Sequence, residues 1–498
     1  MSTILPSSSG SRSFAAPEFV FPLLLGLFGV IFALGMPPFQ TPDEDSHFFR
    51  AYQVSERRLT PRMVGEWGGG RVPSSLVRIR DTFFPLAFRP ERQTRWEDFA
   101  PYLDAPLAPK SREPKPFPGS AYYSFVPYVP QAVGIAVSRL LGCGPLAILY
   151  AGRLANLSFS LLLFHLALRI TPIFKLVFGA VALIPVTVQQ LASTSPDAST
   201  IGVALLFTAV LFRLAIVEGV VADRRWGLAL LGLAGWLTLC KFPYATLALL
   251  YLAVPPARWG GWRRYLLVGS GLAAVTLSLT LFLSGLKKYT PDRLIGPGSQ
   301  ASIQAQVAWI LADPLAFAQV CAATIAEHGQ IWFDQLGYLG WLDTKVNPLA
   351  MHALLVLLVL LGLADRPLPH TPDWRLKTAA LGAAGLCTLV ILLCCYVAGC
   401  AVGAPLIIGP QGRYWVPVLP LLLLPLSNRL VRVRAPHQVL LGLTAAASSA
   451  VLLVAVAGFV RRYYFALEWH PQVIPAALVV ATLLFIVCTV VTARRYAV

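Results

Sequence analysis

Long stretches of the chain carry almost no charge. Apolar windows fall near residues 19–36, 145–168, 174–190, 198–217, 226–240, 242–256, 264–283, 350–364, 377–400, 414–430, 438–460 and 472–491. Several approach the ~20 residues that a helix needs to cross about 30 Å of hydrocarbon. The shorter ones must tilt or pair with a neighbour. Hydrocarbon offers the backbone no hydrogen bonds, so each window is predicted to be helical. The pattern predicts an all-α polytopic transmembrane protein of about 12 spans, forming a single membrane domain over residues 1–498.

One further window, 122–141, contains Pro127, Pro130, Gln131 and Arg139. Charge decides how to count it. If it is left out and the N-terminus is placed inside, the inner loops receive Arg169 and Lys175, Arg213, Arg224 and Arg225, and Arg258, Arg263 and Arg264. They also receive Arg366, Arg375 and Lys377, then Arg429, Arg432 and Arg434, and finally Arg494 and Arg495. The short outer loops keep only Lys241, Arg413, Arg461 and Arg462. Counting 122–141 as a span inverts every later loop and breaks the positive-inside rule. It is therefore predicted to lie on, or dip into, the outer surface. Both termini are then cytoplasmic in an inner-membrane protein. Two long outer loops result, 37–144 and 284–349, the second with one or two short helices around Ile303–Leu311 and Pro314–Ile325.

Composition supports the same class. Apolar residues make up 56% and charged residues 13%, against about a quarter charged in soluble domains. This excludes a disordered chain, a secreted disulfide scaffold and an ordinary cytosolic enzyme. A net charge of +17 would suggest nucleic acid in a soluble protein. Here the cations sit between apolar runs and encode topology, so membrane lipids and not nucleic acid are the expected surroundings. The eight cysteines lack metal-ligand spacing. Ala33-Leu-Gly-Met-Pro-Pro38 offers no cleavage site, so the first window is expected to be retained as a helix.

The first outer loop opens with Thr41-Pro-Asp-Glu-Asp-Ser-His-Phe-Phe-Arg50. Thr41 reads as a helix N-cap, Pro42 as a first-turn residue and Glu44 as the partner in a capping box. Asp43, His47 and Arg50 then fall at i, i+4 and i+7, on one helix face. Two readings of Asp43 stand, chemistry or capping. Ser/Thr-Pro-Asp recurs at Ser195-Pro-Asp197, Thr290-Pro-Asp292 and Thr371-Pro-Asp373, and an acid in the first turn is favoured by the helix dipole alone. Asp197, preceded by Gln189, Gln190, Ser193, Thr194 and Ser195, is open to the same two readings.

Lys241 stands alone between two apolar runs, and Arg413 lies in Gln411-Gly-Arg-Tyr-Trp415 beside Tyr414. Each can snorkel to headgroups or hold a lipid phosphate. Arg153 and Asn156, inside a span, need partners there and are expected to make structural hydrogen bonds. The sequence has no Walker loop, HExxH, strand–helix GxSxG or CxxC motif, so ATP-driven transport and zinc proteolysis receive no support.

Three motifs together resemble the GT-C superfamily of polytopic glycosyltransferases, and more closely a bacterial family of uncharacterised multi-pass membrane proteins. They are Pro42-Asp-Glu-x-x-His47-x-x-Arg50, Gly337-x-x-Gly-Trp-Leu-Asp343 and Gln411-Gly-Arg-Tyr414. The resemblance implies sugar transfer from a polyprenyl-phosphate donor to a glycan or lipid acceptor of the cell envelope, at the outer face. It implies that Asp43 is the general base and Glu44 the second acid of a catalytic pair, with Asp197 as an acid of the second outer loop. Lys241 and Arg413 would then meet the phosphate, with His47, Arg50 and Tyr414 beside them. Some relatives use a divalent metal with the acidic pair, and versions with and without it both stand. The sequence departs from the better-known members in showing no obvious soluble C-terminal domain, which leaves acceptor recognition open. Two alternatives are a transporter or flippase of lipid-linked sugars and a non-catalytic envelope-assembly protein.

Overall fold

A computed structural model describes residues 16–286, 302–364, 372–427 and 436–464. Among these, six helices are long and apolar enough to cross a membrane: Pro17–Gly35, Pro145–Ile170, Asp197–Ile216, Trp262–Ser284, Trp374–Gly399 and His437–Tyr463. The bent pair Ile303–Ala312 and Pro314–Gly337 would make a seventh if it were one span, but it bends by 106° at the break. Asp313 terminates the first arm and caps the second, accepting from the Ala316 amide at 2.9 Å. One or two short helices were expected here, and two are found, the second running on to Asp334.

The bundle has a centre and a margin. In Asp197–Ile216, 89% of the apolar window is buried, against 6% in Trp262–Ser284. The first helix shows the intermediate case. Phe21, Leu25, Phe28 and Phe32 face the protein, while Leu23, Leu27, Val30 and Leu34 are exposed. In water such a stripe would be costly, but in hydrocarbon it is the natural lipid-facing side.

The remaining windows are helical but interrupted. Window 174–190 forms two short buried helices, Lys175–Ala182 and Pro185–Leu191, broken where Pro185 removes a backbone donor. Window 226–240 becomes Arg224–Cys240, and 242–256 becomes the 3-10 helix Phe242–Ala253. Windows 350–364 and 414–430 appear as Pro348–Ala364 and a chain of short turns over Gly412–Leu426. Window 472–491 lies outside the described residues. The coarse reading, a mostly helical membrane protein, holds. Among the described residues six helices meet the length criterion by themselves, and a seventh span results only if the bent pair counts as one, short of the about 12 expected.

The ambiguous window contains the helix Val129–Leu140, of 12 residues and hence about 18 Å long. It is too short to span. It lies along Pro145–Ile170, where Gly134 is needed because a Cβ would collide with the Ala151 carbonyl.

An all-α expectation misses two small sheets. Arg62–Val64, Trp67–Pro73 and Arg112–Pro116 form a three-stranded antiparallel sheet in chain order, with Gly69 opposite both Arg62 and Pro116. Arg112 fixes it to the neighbouring helix Glu44–Ser55 through a forked pair to Glu56 at 2.9 and 2.7 Å, which Arg139 joins at 3.4 Å.

The Gly337–Asp343 turn is a small hairpin between Tyr338–Leu339 and Thr344–Lys345. Its Trp341 donates to the Phe39 carbonyl at 2.9 Å and packs edge-on against Phe84. Asp343 pairs with Arg462 at 2.8 Å, and Arg462 also donates to the carbonyls of Leu86 and Arg92. The motif therefore ties the last described helix to the long loop and makes no bond to the charged cluster described next.

Candidate functional site

The site is built on the turn between Pro17–Gly35 and Glu44–Ser55. The helix begins at Glu44, so Thr41 is not its cap. Asp43 precedes it in the left-handed region, at φ 60° and ψ 12°, and its carboxylate makes no capping bond. The expected capping box is absent because Glu44 turns inward. A fully buried Arg153 demands a counterion, and Glu44 supplies one, its two oxygens accepting from Arg153 at 2.8 and 2.7 Å. Glu44 also accepts from the Thr194 amide at 3.2 Å. Arg153 further donates to the carbonyls of Ala33, Met36 and Pro37.

This arrangement separates the two acids of the pair. Glu44 is used as structure and is not brought to the open site. Asp43 is relieved of capping and held in a conformation that costs a non-glycine residue of order 1–3 kcal/mol. Phe39, Arg57, Phe88, Ala108, Phe174 and Leu342 share this region, so what sets Asp43 apart is a carboxylate left free of capping and turned toward other charges.

Asp43 meets three other charges. Arg413 Nη2 lies 3.7 Å from one Asp43 oxygen, and Arg413 Nε lies 3.1 Å from Asp197. The other Asp197 oxygen pairs with Lys241. Asp197 is the first residue of its helix and makes no capping bond, so the capping reading fails for it as well. Lys241 sits in the extended break between Arg224–Cys240 and Phe242–Ala253. Arg413 is placed by Gly412, whose amide donates to Gln335 at 2.8 Å.

Exposure ranks the four. The Asp43 side chain is 47% exposed, while Lys241, Asp197 and Arg413 are 13%, 8% and 6% exposed. The cations therefore do not snorkel; they turn inward. Arg413 Nη1 has no hydrogen-bond partner among the described residues. A buried guanidinium N–H left unpaired is costly, and it is a donor ready for an anion.

Aromatic side chains close the site. Lys241 Nζ stands 4.9 Å above the Tyr414 ring and 5.7 Å above the Tyr123 ring. Tyr122 stacks on Tyr123 with centroids 4.5 Å apart. His47 Nδ1 is 2.8 Å from the Tyr128 hydroxyl, and burial drives its pKa from 6.5 to about 3, so it is neutral at physiological pH. Crowding by protein pushes the Asp43 carboxyl above its ordinary value, and Arg413 pulls it part of the way back. Burial raises the Tyr122 phenol well above its ordinary value, and the Asp43 charge adds to the effect.

Arg50 goes elsewhere. It donates to Gln53 at 2.6 Å and to the Leu59 carbonyl at 2.5 Å, shaping the chain after the helix. The i, i+4, i+7 spacing assumed a helical Asp43, and the left-handed turn removes that premise. Asp197, Lys241, Arg413 and Tyr414 converge as a group, with His47 behind them. Tyr122, Tyr123 and Tyr128 were not singled out from the sequence, where they sit at the end of a proline-rich stretch.

A divalent ion does not fit this arrangement. No three His, Cys, Asp or Glu side chains converge among the described residues. Both Asp197 oxygens are engaged by cations.

These features define a helical membrane protein with a paired-charge, tyrosine-lined site at one end of its bundle. The chain belongs to the family described as predicted membrane protein (DUF2142), which matches residues 25–422. The match includes Asp43, Asp197, Lys241 and Arg413. No curated protein and no solved structure matches the chain.

Proposed function

We propose that the protein is a membrane glycosyltransferase of GT-C type. It takes a sugar from a polyprenyl-phosphate donor and passes it, with inversion, to a glycan or lipid acceptor at the outer face of the inner membrane. Both termini are cytoplasmic, and the interrupted helices complete about 12 spans, as the placement of loop cations favours. The observation that carries the reading is the juxtaposition of one open carboxylate, Asp43, with two inward-turned cations, Arg413 and Lys241.

Asp43 takes the proton of an acceptor hydroxyl as that oxygen attacks the anomeric carbon. The bond from that carbon to the phosphate oxygen breaks, and its electron pair leaves with the lipid phosphate. Arg413 and Lys241 meet the charge that develops there. Asp197 holds both cations in place beforehand, so little reorganisation is needed during reaction. No nucleotide takes part.

The test is consumption of radiolabelled polyprenyl-phosphate sugars by the purified protein in nanodiscs, with acceptor-containing membrane extract. Turnover of one donor is expected. If every donor stays intact, the carrier and assembly-protein readings replace this one.

The pH profile is also specified. The base works only when ionised, so the rate falls as pH drops through the Asp43 pKa. Because burial raises that pKa, the acid limb lies at higher pH than an ordinary aspartate would give. His47→Gln leaves the limb in place, since a group titrating at about 3 is already neutral there. A limb displaced by that substitution would assign the ionisation to His47.

A further inference from the structure

The segment Pro118–Ser124 bridges the two halves of the site. Ser120 Oγ donates to the Ser46 carbonyl at 2.7 Å, which fixes one end to the helix that follows Asp43. Ser124 Oγ donates to the Leu239 carbonyl at 2.7 Å, which fixes the other end just before Lys241. Between these pins lie Tyr122 and Tyr123. At Gly119 an added Cβ would stand 3.9 Å from an Asp43 oxygen, so the segment borders the open carboxylate directly.

Rings and cations alternate from there. Arg413 lies 5.4 Å from the Tyr414 ring, Lys241 lies between Tyr414 and Tyr123, and Tyr123 stacks on Tyr122. The row ends at Tyr122, which is partly exposed and makes its one ring contact among the described residues with Tyr123. An interfacial tyrosine belt would direct such rings toward headgroups. Here the row is directed along the buried cations and ends in the recess of Asp43.

Resting on the glycosyltransferase reading, we propose that Tyr122 is the platform for the donor's sugar, a pyranose whose apolar C–H face lies on the ring while Arg413 and Lys241 hold its phosphate. An aromatic face gives a sugar apolar contact area in a fixed orientation. Lys241 lies between the Tyr414 and Tyr123 rings, so a phosphate held there sits beside the row.

Two probes separate the parts: tritiated farnesyl phosphate and farnesyl-phosphoryl-hexoses bearing glucose, galactose or mannose. Binding is measured on the full chain in nanodiscs. Wild type is expected to hold one hexose conjugate about tenfold more tightly than farnesyl phosphate. Tyr122→Ala removes that preference and leaves farnesyl phosphate within about twofold, while Tyr122→Trp restores the preference. Arg413→Gln weakens both probes. If wild type shows the preference and Tyr122→Ala keeps it, the platform is refuted and the glycosyltransferase reading survives. If Tyr122→Ala weakens both probes equally, the ring supports the pocket in general and the platform is again refuted. If wild type binds neither probe, the phosphosugar reading falls and the platform falls with it.

Discussion

Asp43→Asn is expected to reduce sugar transfer by about a thousandfold, within the range that a positioned general base supplies, while the protein accumulates normally. The asymmetry follows from the backbone. Asparagine tolerates the left-handed region as well as aspartate does, and the carboxylate makes no capping bond whose loss would unsettle the helix. Asp43→Gly goes further: it relieves the strain at φ 60°, so it should raise the melting temperature while abolishing transfer. Single-turnover kinetics on both variants, with thermal unfolding in detergent, check the pair. Wild-type transfer by Asp43→Asn at normal abundance would show that Asp43 is not the base.

Arg153→Met is expected to have the largest effect on stability, with little of the effect arising from direct participation in chemistry. It leaves Glu44, which is fully buried, without its counterion, at a cost of about 3–5 kcal/mol. It also releases three carbonyls at the end of the first helix. The outcome should be a steep fall in detergent-extracted monodisperse protein, read by fluorescence-detected size exclusion across a temperature ramp. Glu44→Met should behave similarly, and the double variant should be less damaged than either single one, because no lone charge remains buried. Equal melting of wild type and Arg153→Met would remove the ion pair from the account of stability.

The sequence and the structure part company at identifiable places. Loop charge argued against a span at 122–141, because the positive-inside pattern is a sum over many loops and tolerates local ambiguity, and the helix found there has only 12 residues. Lys241 stood alone between two apolar runs, while Asp197 and Arg413 each lay in a polar stretch at the end of one, which marked the residues singly but not their convergence. The capping box was misread because Thr41-x-x-Glu44 is local grammar, whereas the demand on Glu44 comes from Arg153, 109 residues away. Interruptions at Pro185 and over 412–426 are invisible to an average over apolar windows. The sheet escaped because Trp67-Gly-Gly-Gly-Arg71 has no alternation of apolar and polar positions. Tyr122 and Tyr123 escaped because a proline-rich loop says nothing about which two helices it will bridge.

The way Asp197 sits between Lys241 and Arg413 has a consequence for the charge balance of the proposed transfer. With Asp43 ionised, the four groups sum to zero. A phosphodiester donor adds one negative charge, which the cations accept. After transfer the lipid phosphate carries about two negative charges, but Asp43 holds the acceptor's proton, so the total is unchanged. Only when that proton escapes to water does the site acquire a second excess negative charge, and the spent carrier is then repelled. In the proposed reaction, the step that resets the base is therefore also the step that favours departure of the product.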